Sequence, residues 1–168
     1  RPRPLPLALS LAALLVAGCG HGSRPPFDSA RSERCPFPPS SLLRANVRTT
    51  ALSALVRVTG STSASLDGTT PLPSVGDVMH HYAVDLLAPI AGEATASFHV
   101  AQMVEADFAR RPPGTLLLLS VCPREEGGFR EPDVGYLFPL PPSCLADAEG
   151  VARRLRSAHL APGDAACR

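Results

Sequence analysis

Lysine and tryptophan are missing from this 168-residue chain: all sixteen basic residues are arginine, and only eight residues are aromatic. So few rings argue against a platform for stacking sugars. Fifteen acidic residues leave a net charge of +1, so no excess of one sign points to nucleic acid or an anionic surface as partner. With alanine, proline, glycine and arginine abundant, the arginine usage resembles the codon bias of a GC-rich genome. No apolar run reaches the roughly 20 residues that a membrane-spanning helix takes. Nucleophile motifs of the G-x-S-x-G or S-x-x-K kind do not occur, nor do the G-x-G-x-x-G and Walker loops that cradle phosphates. C-x-x-C, H-E-x-x-H and H-x-H spacings are missing as well, so no zinc site is indicated. These absences leave the catalytic residues unknown, predict no metal or cofactor, and lean away from an enzyme. Internal repeats are also lacking.

What is present begins with RPRPLPLALSLAALLVAGC. Two arginines precede an apolar stretch, Leu5 to Ala17, of the length of a secretory signal. Its end, Leu15-Val16-Ala17-Gly18-Cys19, resembles the lipobox of bacterial lipoproteins: aliphatic, two small residues, then cysteine. That resemblance implies cleavage before Cys19, lipid on the Cys19 thiol and acylation of the new amino terminus. Small residues admit a peptidase, and a thiolate is nucleophilic enough to form the thioether. At about 0.8 kcal/mol per buried methylene, two or three acyl chains anchor stably where one is marginal. Gly20, in place of Asp, implies sorting to the outer membrane of the bacterial envelope. The prolines at 2, 4 and 6 and the absence of an initiator Met suggest a truncated or misassigned start.

The expected organisation is a signal peptide (1–18), a lipidated proline-rich tether (19–41) and one globular domain (42–168). With Cys19 taken by lipid, Cys35, Cys122, Cys144 and Cys167 remain, an even number in an oxidising compartment, and two disulfides are expected. Three connectivities are possible; Cys35–Cys122 with Cys144–Cys167 is the preferred one. Cys35 and its neighbouring phenylalanines are expected to pin the second half of the tether onto the domain.

Along the body, Leu52 to Val58 alternates as a strand, with Leu55 and Arg57 facing away from Val56 and Val58. Thr59 to Asp77, rich in Ser, Thr and Gly, reads as a disordered loop. His81 to Leu87 is a half-buried strand with Tyr82, Val84 and Leu86 on one face, ended by turn residues at Pro89 to Glu93. Ala94 to Arg111 fits a strand through Phe98, Val100 and Val104, and equally a helix through Val100, Met103, Val104 and Phe108. Gly114 to Val121 is a continuous apolar run, expected at the centre of the sheet and buried on both faces. A charged turn (Arg124 to Pro132) and an edge strand (Val134 to Leu140) follow. A C-terminal helix comes last, capped by Ser143, with Leu145, Ala148, Ala152 and Leu155 on its buried face and arginines in its last turn. The predicted class is α+β: a small, mainly antiparallel sheet, an OB-like barrel in one form, with a C-terminal helix.

The order FHVAQMV, PPGTLLLLSVC, EPDVGYLF and a Cys-bearing helix resembles the netrin-like domain, which implies a five-stranded OB-type barrel with flanking helices. The inhibitory Cys-x-Cys of that family is missing, so protease inhibition does not carry over. Three functional classes result. The first is a membrane-anchored, non-catalytic binding or envelope-assembly module with a protein partner in the envelope. The second is a netrin-like ligand-binding or inhibitor barrel. The third is a metal-dependent enzyme, for which His80 or His81, near Asp77, must meet His99 in space.

Overall fold

The computed structural model describes residues 35–66 and 76–168. The expected signal, Cys19 and most of the expected tether lie outside the described residues, as do residues 67–75 of the Thr59 to Asp77 stretch. Arg34–Arg168 form one compact unit.

Four long or medium strands and two short ones make one sheet: β1 (Leu52–Ser65), β2 (Asp77–Ala91), β3 (Ser97–Glu105), β4 (Leu116–Pro123), β5 (Phe129–Arg130) and β6 (Leu137–Leu140). The order is β1-β2-β3-β5-β4-β6, and β1 also pairs with β4. That extra pairing closes β1-β2-β3-β5-β4 into a ring. All pairings are antiparallel except β3 with β5. The α+β class with an OB-like barrel is therefore the observed one. Closure needs strong bending, and β1 shows where it comes from: its register with β2 slips at Ser53/Ala54, Leu55/Val56 and Val58/Gly60. Each slip adds local twist and turns the ribbon toward β4.

The alternation of side chains then defines two cores. Leu52, Ala54, Val56 and Val58 of β1 point into the barrel with Tyr82, Val84, Phe98, Val100, Leu117, Leu119, Val121 and Leu137. Leu55, Leu116, Leu118 and Leu140 point outward, under two helices, α1 (Ser40–Thr49) and α2 (Leu145–Ser157). The run Leu116 to Val121 is buried on both faces because it serves both cores. Arg57, on the outward face of β1 beyond the helices, is exposed. Polar side chains trapped at the seam are satisfied: Asn46 Nδ2 donates to the main-chain carbonyl of Gly135 (2.8 Å), and the hydroxyls of Ser53 and Ser120 lie 2.7 Å apart.

Several expectations change. Thr59 to Ser65 is not loop but the far half of β1, because β2 from Val78 to Ala83 offers it a ladder. The Pro89 to Glu93 turn starts later; β2 runs to Ala91, with Pro89 opposite Ala54 at a slip. Ala94 to Arg111 resolves as a strand, Ser97–Glu105, paired residue for residue with β2. The edge strand shortens to Leu137–Leu140 and pairs only with β4, which tolerates Pro139. Helix α1 was not anticipated. Helix α2 buries Ala148, Ala152 and Leu155 as expected, but Cys144 holds the N-cap position after a 3₁₀ turn, Pro142–Cys144, and no side-chain cap forms.

All four distal cysteines are bridged, as Cys35–Cys144 and Cys122–Cys167. This corrects the preferred pairing. Helix α2 starts directly after Cys144 and carries the chain about 20 Å away, and the residues after it lead Cys167 to Cys122. The tail instead folds back past the end of α1, where Gly163 N donates to Thr50 O (3.1 Å). A Cβ at Gly163 would stand 2.0 Å from Arg48 O, so only glycine fits that passage.

Candidate functional site

The predicted histidines separate by strand alternation. His80 faces inward and is 3% exposed. Its Nε2 donates to Phe108 O (2.9 Å), and its Nδ1 accepts from the Ser63 hydroxyl (2.9 Å). Both ring nitrogens are thereby occupied, and the bond to a carbonyl fixes the Nε2–H tautomer. His81 and His99 share the outer face of β2 and β3 as diagonal neighbours, since Ala101 lies opposite His81 and Ala83 opposite His99. So His80 does not meet His99, whereas His81 does approach it. The β4–β5 turn closes on this face. Gly128 (φ +73°) presses so near β3 that a Cβ there would lie 2.9 Å from His99 O. Partial burial lowers the pKa of His81, and Arg124, His99 and His80 add repulsion in that order. Arg124 is itself paired with Glu126 at 3.2 Å. Among the described residues no group of three or more His, Cys, Asp or Glu side chains is placed to hold a metal ion. Asp77 lies at the far end of β2, opposite Glu105.

A polar chain runs through the mouth of the barrel. The buried Tyr82 hydroxyl donates to Gln102 Oε1 (3.2 Å), the Gln102 amide bonds the Glu131 carboxylate, and Glu131 Oε1 accepts from the amides of Tyr136 (3.2 Å) and Leu137 (3.0 Å). Burial nevertheless raises the pKa of Glu131, against these stabilising bonds. Burial likewise pushes the Tyr82 phenol up. Beside Glu131 a groove of about 290 Å³ is lined by Asp77, Glu105 and Asp133, with Met103 and Val134 exposed along it.

Another groove, of about 350 Å³, lies between α1 and α2. Phe37, Leu43, Val151 and Leu155 supply its apolar lining, and Arg44 of α1 and Arg154 of α2 line it too, the Arg154 guanidinium lying back along its own helix, where a Cβ at Gly150 would be 3.5 Å from Nη1. Several other arginines are engaged: Arg110 donates to Ser61 O, Arg130 to Cys167 O and Arg156 to Pro89 O, and Arg111 lies over the Phe108 ring. Arg44 and Arg154 have no carboxylate partner among the described residues. The amino end of α1 opens at Ser40 into the same groove, with no side-chain cap and no acid in its first turn. These two arginines escaped sequence reasoning because they lie 110 positions apart. The periodicity of Leu43 and Val47 could have signalled α1, but nothing in sequence placed it beside α2.

No described helix is long and apolar enough to cross a membrane. Comparison with family models, with curated proteins and with solved structures finds no match for the chain.

Proposed function

We propose that this chain is a bacterial lipoprotein, anchored through acyl chains on Cys19, that presents a non-catalytic binding or envelope-assembly module to a protein partner. The observation that carries the reading is the pair of disulfides, Cys35–Cys144 and Cys122–Cys167. Bridges of this kind persist in oxidising compartments, which is where a chain led by Arg1 to Cys19 would be delivered. Both join a segment near one end of the folded unit to its body, as suits a domain held by a tether.

Binding is favoured over catalysis by the use made of the reactive groups inside. His80 spends both nitrogens on structural bonds, Glu131 accepts from two main-chain amides, and the Ser53 and Ser120 hydroxyls face each other. A second reading, a netrin-like ligand-binding barrel, is favoured by the strand at Ser97–Glu105 and the closed ring of five strands. The two readings are compatible, one giving the address and the other the body. Gly20 after the anchor favours the outer membrane.

Replacing Cys19 tests the anchor. Cys19→Ser should move the protein from membrane to soluble fractions, or leave it uncleaved, with loss of labelling by a fatty-acid analogue. Unchanged labelling and unchanged fractionation would refute the lipoprotein reading.

A further inference from the structure

The groove between α1 and α2 carries chemistry that a protein-binding module does not require. We propose that it seats the phosphate headgroup of an anionic phospholipid, so that the helix layer of the domain lies on the bilayer that holds the anchor. The proposal rests on the lipoprotein reading for the presence of that bilayer; the chemistry of the groove stands independently.

Three observations converge. First, Arg44 of α1 and Arg154 of α2 line one cavity with no carboxylate in its lining. A guanidinium donates bidentate hydrogen bonds to phosphate, and two on the rim of one cavity can both serve it. Second, the cavity also has an apolar lining, supplied by Phe37, Leu43, Val151 and Leu155. A free inorganic anion gains nothing from such a lining, whereas the glycerol and upper acyl carbons of a lipid do. Third, the covalent path leads here. Cys35 is bridged to Cys144, immediately before α2, and Phe37 follows two residues later. The sixteen residues 19–34 can span at most about 55 Å, so an anchor at Cys19 keeps this face within reach of the membrane. Residues 20–34 themselves carry Arg24, Arg31 and Arg34 against Asp28 and Glu33. Their net positive charge makes them a poor counter-charge for the arginine pair and a further attraction to an anionic surface.

The test uses residues 34–168, which contain both disulfides and both cores and form a compact unit. The oxidised domain is sedimented with vesicles of phosphatidylcholine alone and of phosphatidylcholine mixed with phosphatidylglycerol. Partition onto the phosphatidylglycerol vesicles is expected, weakening with salt, with little onto phosphatidylcholine. Arg44→Gln and Arg154→Gln should each lower it about five-fold, while Arg153→Gln, in a separate hollow that it lines with Pro89, Glu149 and Arg156, should lower it less. Equal binding to both vesicles, or no loss in the double variant, would overturn the proposal. So would full displacement by millimolar inorganic phosphate at constant ionic strength, which would make this a free-anion site. Self-association of the domain that the double variant abolishes would reassign the groove to a second copy. Cys19→Ser in cells reads the anchor separately, so failure of one result leaves the other standing.

Discussion

The barrel interior and the layer beneath the helices share β4, yet they are closed by different means. The interior is sealed by a ring of main-chain ladders and, at its mouth, by Tyr82, Gln102 and Glu131. Every strand in that ring has two neighbours, so no part of it can leave without breaking pairings on both sides. The helix layer has no such constraint. Its helices lack side-chain caps, α2 contains Gly150 and buries mainly alanines against the sheet, and Cys35–Cys144 ties the start of α1 to the start of α2. The difference teaches that the sheet is the cooperative unit and that the helix layer is attached to it.

Removing the tie should be the most damaging change. The Cys35–Cys144 bridge closes a separation of 109 residues against 45 for Cys122–Cys167; chain entropy assigns them about 5 and about 4 kcal/mol. In Cys35→Ser/Cys144→Ser the free energy of unfolding should fall by about 5 kcal/mol, and α1 and α2 should open to exchange before β1 to β4 do. Simultaneous opening of helices and strands would show one cooperative unit instead of two layers. Next come paired truncations on β4. Leu117→Ala and Leu118→Ala should each cost about 2–5 kcal/mol in denaturant unfolding. Only Leu118→Ala, which opens the helix side, should loosen α2 by exchange; the reverse pattern would misassign the two faces.

Glu131→Ala strands the Tyr136 and Leu137 amides, at about 1–3 kcal/mol for each group left unsatisfied. Glu131 also imposes a pH trend. Its folded pKa is raised, so its contribution is full below the ordinary carboxylate range and is lost as pH rises through the raised value. Glu131→Gln should remove that decline from a plot of unfolding free energy against pH. The smallest effect is expected at His81, whose folded pKa is lowered. Its contribution is present above the ordinary value of about 6.5 and lost as pH falls through the lowered one. A steeper acid loss in His81→Gln than in the parent would contradict the crowding by Arg124 and His99.

Where a residue's role depends on its neighbours in sequence, it was legible. Tyr82, Val84 and Leu86 alternate as a strand, and the length and flanks of the apolar run Gly114 to Val121 pointed to a doubly buried one, as observed. The stretch Ala94 to Arg111 was not legible, because helical propensity and alternation compete there, and a nine-residue ladder with β2 decides between them. The Ser- and Thr-rich half of β1 was hidden for the same reason: its order comes from its partner strand. The candidate groove was invisible, since Arg44 and Arg154 become neighbours only through the packing of two helices.

By itself, then, the sequence determined the even set of four distal cysteines and the sheet-plus-helix class, while the address at Arg1 to Cys19 stands as a proposal. These are properties of local pattern and of counting. The tertiary structure decided the pairing of the cysteines, the closure of the ring and the placing of the arginines. Each depends on where a rigid element carries the chain: α2 takes Cys167 away from Cys144, and the slips in β1 bend it back onto β4.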